Sequence, residues 1–278
     1  MKKTFLGTGI ALTLLSACAP KQSQETLTKS GLNPTNYETI VDGVKPVKLY
    51  TLKNAAGMEV CVTNFGGRIV SIMVPDKNGN LKDVVLGFDR INKGVIVMDG
   101  ETILLPQNNF GHCLHGGPKG WQYQVYEANQ LNDSTMTLTM KSPDGDANFP
   151  GNVTATVTYA LTRDNAIDIN YEATTDKKTV INMTNHSYFN LSGNPANPAT
   201  DHILYVNADS ITPVDSTFMT TGEMMAVTET PFDFNTPKTI APDVTNFENE
   251  QIKFGNGFDH NWVLNTKGDI NQLAAKLT

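Results

Sequence analysis

Five histidines, His112, His115, His186, His202 and His260, are the side chains in this chain best suited to moving a proton near neutral pH, because imidazole has its ordinary pKa there. Two of them stand in unusual surroundings. His115 lies in Cys113-Leu114-His115-Gly116-Gly117-Pro118-Lys119-Gly120, where glycines tolerate positive φ and let a ligand come close to the backbone. His186 lies in Thr184-Asn185-His186-Ser187-Tyr188-Phe189-Asn190-Leu191 and follows the strand-like run Thr179–Met183. That placement would bring its side chain out at the end of a sheet. Positioned groups of this kind do general acid–base work, worth typically about 10²–10⁴-fold. No CxxC or HExxH spacing occurs, so the sequence makes no case for a structural metal. Cys61 sits in an apolar run and reads as a buried thiol, while a pairing with Cys113 is left open by the sequence.

The elements that must carry these residues read as short strands separated by turn chemistry. Ser134–Met140, Val153–Tyr159 and Ile167–Tyr171 alternate apolar and polar residues with period two, the pattern of a sheet with one buried and one wet face. Lys141–Asp146 and Thr162–Asn165 hold the turn formers between them. Similar runs occur at Val47–Leu52, Glu59–Thr63, Ile69–Val74, Val84–Leu86, Ile203–Asn207 and Trp262–Asn265. Long amphipathic helices are absent, and only Asn246–Ile252 and Asn271–Leu277 read as short helical turns. Many closely spaced antiparallel strands imply an all-β fold, a sandwich or a large twisted double sheet, with no second-domain boundary.

The 278 residues carry a formal charge of −7, with 39% hydrophobic and 18% charged residues. That composition supports a true core. The acidic balance argues against a nucleic-acid partner, which would require a clustered cationic surface. The N-terminus reads as a targeting segment: Lys2 and Lys3, then an apolar run from Phe5 to Leu15, then Leu15-Ser16-Ala17-Cys18, which resembles a bacterial lipobox. On this reading residues 1–18 are a lipoprotein signal ending at the lipidated Cys18, and residues 19–31 are a polar tether. Residues 32–278 are then the domain. Acyl chains on Cys18 would hold the protein to a membrane at about 0.8 kcal/mol per buried CH₂, on the periplasmic or cell-surface side.

The motifs around the histidines resemble those of the aldose 1-epimerase (galactose mutarotase) family. Asn185–Leu191 is similar to its N-H-[ST]-Y-F-N-L signature, Leu114–Gly117 to L-H-G-G, and Gly257–Asn261 to G-[YF]-D-H-N. Ser142–Gly145 with Phe149–Gly151 resembles S-P-D-G-x-x-G-[YF]-P-G. The segments Ala208–Ser210, Pro213–Asp215, Gly222-Glu223 and Thr230–Phe234 follow in family order. The likeness runs from about Tyr50 to the last residue. It implies a galactose-mutarotase-like β-sandwich of large twisted antiparallel sheets, with no cofactor and as a monomer. It also implies interconversion of the α and β anomers of free aldohexoses such as galactose or glucose. A base takes the proton of the anomeric hydroxyl, an acid protonates the ring oxygen, and the opened sugar recloses on either face. Carried over position by position, His186 is the general acid and His115 the second catalytic histidine. Arg90 and Asp259 hold sugar hydroxyls, and Tyr188 lines the pocket. Trp121 reads equally as a stacking platform or a core residue.

Two departures from the family pattern stand out. Leu86-Gly87-Phe88-Asp89 joins directly to Arg90-Ile91, without the loop that family members carry there. The late segment that supplies the family's glutamate base has no counterpart among these residues, so the expectation is a fold incomplete at its C-terminal end with little or no activity as written. The same residues admit a non-catalytic sugar-binding lipoprotein, an epimerase of a phosphorylated hexose, for which Lys119 is the one cation near His115, or a structural β-domain on an anchor.

Overall fold

The computed structural model describes residues 27–278 except 42, 44, 84 and 88–94. Cys18 and Arg90 lie outside the described residues. Nearly every regular element is a strand. One antiparallel sheet runs Leu49–Lys53, Glu59–Thr63, Arg68–Pro75, Leu81–Asp83. A second runs Glu127–Asn132, Thr135–Ser142, Val153–Leu161, Ile167–Thr175. Their inward faces make one core. Leu52, Val60, Val62 and Ile72 from the first sheet meet Met136, Leu138, Val153, Ala155, Val157, Tyr159 and Leu161 from the second.

The period-two pattern has its expected physical outcome. Along Val153–Leu161 every odd-numbered residue is buried and every even-numbered one half-exposed. Each large apolar side chain so buried contributes roughly 1.5–3 kcal/mol. Glu59–Thr63 is different, being buried on both faces. Its outer face is covered by the N-terminal segment. The Lys29 backbone N–H donates to Glu59 Oε1 at 2.6 Å, and Lys29 Nζ donates to the Gly57 carbonyl at 2.9 Å. The part of the polar segment described, from residue 27, is thus docked on the domain at Lys29.

Two smaller cores lie in the C-terminal half. Ala208–Thr212 pairs with Asn261–Leu264 and with Met225–Ala226. Ile203–Val206 pairs with Lys238–Thr239 and Ala275–Leu277. Phe232, Phe234, Phe258 and Trp262 fill the space with ring centroids 5.3–6.1 Å apart.

Three expected elements differ. Thr179–Met183 forms no strand, and Val180 and Ile181 are exposed. β-forming residues become a strand only against a ladder, and none flanks them among the described residues. Asn271–Leu277 is not helical: Ala275–Leu277 is a strand, and Thr278 exchanges both backbone hydrogen bonds with Ile203 at 2.8 and 2.9 Å. Pairing with a waiting strand outweighs weak local helix preference. The helix near Asn246–Ile252 begins later, at Glu250–Gly255, where Asn249 Oδ1 accepts the Gln251 and Ile252 N–H groups. Among the described residues no helix is long and apolar enough to cross a membrane.

Candidate active site

The segment carrying His186 is tied to the main core by one buried tyrosine. Tyr159 points inward from Val153–Leu161 and donates its hydroxyl to the Gly67 carbonyl at 3.0 Å. Asn185 Nδ2 donates to the same hydroxyl at 3.1 Å, while Asn185 Oδ1 accepts the Ser187 N–H at 3.0 Å. This Asx turn brackets His186 between two fixed residues. Burial pushes the Tyr159 hydroxyl above the ordinary tyrosine range, so it remains a donor.

Ser187–Phe189 then pairs with Val85–Gly87, Ser187 facing Gly87. Residues two apart around this strand share a side, and the His186 and Tyr188 rings lie 5.2 Å apart at 35°. Past the strand, buried Asn190 accepts from Ser192 N–H and Oγ and donates to the Asn197 carbonyl. His202 closes the loop: its Nε2 accepts the Leu191 N–H at 2.8 Å, which leaves Nδ1 to donate to the Ala199 carbonyl at 2.9 Å. This histidine is structural.

The loop carrying His115 is built for close approach. His115 takes φ +47°, a left-handed conformation uncommon outside glycine and often found where a side chain is held for use. A Cβ on Gly120 would lie 2.1 Å from the His115 carbonyl oxygen, so glycine alone fits there. Asn108 Oδ1 accepts the Leu114 N–H at 2.7 Å, and the Gly117 N–H donates to the Leu114 carbonyl at 2.8 Å. His115 and His186 meet with ring centroids 5.7 Å apart and planes at 80°.

His115, His186 and Tyr188 therefore form one ring cluster, although its two segments are far apart in the chain. His115 is half-buried, His186 and Tyr188 exposed. Asp259 is exposed on the connection between Glu250–Gly255 and Asn261–Leu264. Its neighbour His260 is packed against Phe232, with ring centroids 4.6 Å apart, and burial pushes its pKa down to about 4. Trp121, in a short 3-10 helix, is half-buried against the main core. Cys61 and Cys113 are free and buried.

Sequence reading took Tyr159 only as part of a strand and Gly120 only as one of the glycines of the His115 motif, without the specific contact either makes. The first was accessible in principle: a tyrosine at an inward position of an alternating strand needs a partner for its hydroxyl. The second was not, because the close contact at Gly120 exists only once the loop has folded.

Residues 48–278 match the family model of aldose 1-epimerase. The chain belongs to the aldose 1-epimerase family. Among its family relatives, the aldose 1-epimerase of Escherichia coli K12 is 35% identical over 253 residues, covering 83% of this chain and 72% of the relative. Human galactose mutarotase is 33% identical over 228 residues, covering 74% of this chain and 64% of its own length. The solved structure of galactose 1-epimerase from Lactobacillus acidophilus superimposes with a TM-score of 0.73 at 30% identity, covering 87% of this chain and 75% of that one. The all-β, galactose-mutarotase-like architecture expected of an aldose 1-epimerase is thus the observed one.

Proposed function

We propose that this protein is an aldose 1-epimerase that interconverts the anomers of a free aldohexose such as galactose or glucose, with His186 as general acid. The observation that carries the reading is the meeting of His115 and His186 at 5.7 Å, from two family motifs, in a chain of this family. The two oxygens that exchange protons in the reaction are bonded to one carbon, so the groups serving them must converge on one small region. A ring cluster open to solvent on the His186 side suits that demand.

In this reading His186 protonates the ring oxygen and His115 hydrogen-bonds beside it. Asp259 and Arg90 hold sugar hydroxyls, and Tyr188 lines the pocket face next to His186. No residue among these 278 is assigned the base. A positioned base at the anomeric hydroxyl typically adds about 10²–10⁴-fold. A positioned acid such as His186 contributes about the same order. We further propose lipidation at Cys18 on the strength of Leu15-Ser16-Ala17-Cys18. Radiolabelled palmitate incorporated into the parent and absent from Cys18→Ser checks it.

Polarimetry of freshly dissolved α-D-galactose and α-D-glucose tests the activity. The expected result is first-order relaxation faster than buffer, lost in His186→Ala. Relaxation at the buffer rate from protein that melts cooperatively would overturn it.

A further inference from the structure

The turn that follows Ala208–Thr212 joins the His115 loop to the segment that carries Asp259. On one side it is fastened to the Asp259 segment. Gln251 grips the Val214 backbone twice, its Oε1 accepting the N–H at 2.8 Å and its Nε2 donating to the carbonyl at 3.0 Å. The same Oε1 lies 3.1 Å from His260 Nε2. An amide oxygen only accepts, so His260, the residue that follows Asp259 in the chain, carries its proton on Nε2.

On its other side the turn reaches the His115 loop. Asp215 Oδ1 accepts the Thr217 N–H at 2.8 Å, the Thr217 hydroxyl at 2.6 Å and the Met219 N–H at 3.1 Å. With its proton committed to Asp215, Thr217 Oγ1 accepts from His112 Nε2 at 2.8 Å. The Phe110 and Phe218 rings add an apolar contact, with centroids 6.4 Å apart. His112 is itself held by backbone bonds to Asn108 and Asn109. The result is a continuous chain of hydrogen bonds and backbone that runs from the neighbour of Asp259, through Gln251, Val214, Asp215 and Thr217, to His112 in the His115 loop.

We infer that Pro213–Thr217 is a bracket that sets the separation of His115 from Asp259, with the Thr217 hydroxyl and the Gln251 amide as its positioning groups. The inference rests on the site proposed above. Polar contacts of fixed direction suit this task better than apolar packing, because each bond specifies an atom pair. A misplacement of about 1 Å far from the chemistry can cost on the order of 10²-fold in rate.

The test compares the full chain with Thr217→Val, Thr217→Ser and Gln251→Met. Each is measured by polarimetric kcat and KM and by the imidazole Cε1–H NMR signal of His115, assigned with His115→Asn. Thr217→Val keeps the side-chain shape and removes the hydroxyl. It should lower kcat about tenfold and move the His115 signal while the protein still melts cooperatively. Thr217→Ser should restore both readings to within about twofold. Gln251→Met should raise KM more than it lowers kcat, because it loosens the Asp259 side. An unmoved His115 signal in Thr217→Val, or equal losses in the Val and Ser variants, would overturn the bracket. If the parent shows no anomerisation, the proposed activity fails by itself, and the His115 signal still decides the bracket.

Discussion

Replacing Tyr159 by Phe removes one oxygen atom, and the structure determines what that oxygen holds. The residue is only 2% exposed, and its hydroxyl joins the Gly67 carbonyl at 3.0 Å to Asn185 Nδ2 at 3.1 Å. Phenylalanine keeps the ring, so no large cavity opens. The losses are two hydrogen bonds, each worth about 1 kcal/mol, and the burial of an unsatisfied Gly67 carbonyl, worth about 1–3 kcal/mol. Asn185 is only half-buried and recovers a water, which brings the expected destabilisation to about 2 kcal/mol. In a domain of this size that lowers the melting temperature by roughly 4–8 °C. The variant also frees Asn185, which brackets His186, so kcat should fall about tenfold. Urea denaturation and polarimetry on one preparation measure both effects. Asn185→Ala should cost about 1 kcal/mol alone, and the double variant less than the sum, since both break the same bond. Additive losses, or a Tyr159→Phe variant with unchanged stability and turnover, would refute the anchoring role.

Gly120→Ala isolates a steric effect, because its φ of −54° suits any residue while the new Cβ meets the His115 oxygen at 2.1 Å. Turnover should fall at least tenfold with about 1–3 kcal/mol lost in a denaturant melt. Glu59, wholly buried, accepts the Lys29 N–H at 2.6 Å and lies 3.5 Å from Lys53 Nζ. Glu59→Ala should cost about 2–3 kcal/mol, whereas Lys53→Ala, whose ammonium is largely solvated, should cost under about 1 kcal/mol; equal values would contradict the reading. His260 is pushed by burial from 6.5 down to about 4, so the folded state holds it neutral where the unfolded chain takes up a proton. Its contribution is complete above about pH 6.5 and is lost as pH falls toward 4. The full displacement corresponds to roughly 3 kcal/mol, and partial solvent access reduces the expected loss to about half. Stability measured from pH 7 to 4 should fall less steeply in His260→Gln; identical slopes would refute the assignment.

Much of this protein was present in local sequence because its physics is local. Alternation along Val153–Leu161 specifies which residues face inward wherever the strand is placed, and the burial follows it residue by residue. The motifs around His115 and His186 identified the family before any geometry was known, since short fixed spacings are read without the fold. Other features depended on partners distant in the chain. Thr179–Met183 has strand chemistry and no ladder among the described residues, while Ala275–Leu277 has weak propensity and a partner in Ile203–Val206, so pairing decided both. The five histidines are alike as letters, yet their partners divide them. His202 and His260 are committed to backbone and amide groups, while His115 and His186 face each other at 5.7 Å. Local sequence determined which groups could do acid–base chemistry, and tertiary contacts decided which were spent on holding the fold, because hydrogen-bond partners and burial are set by the whole chain.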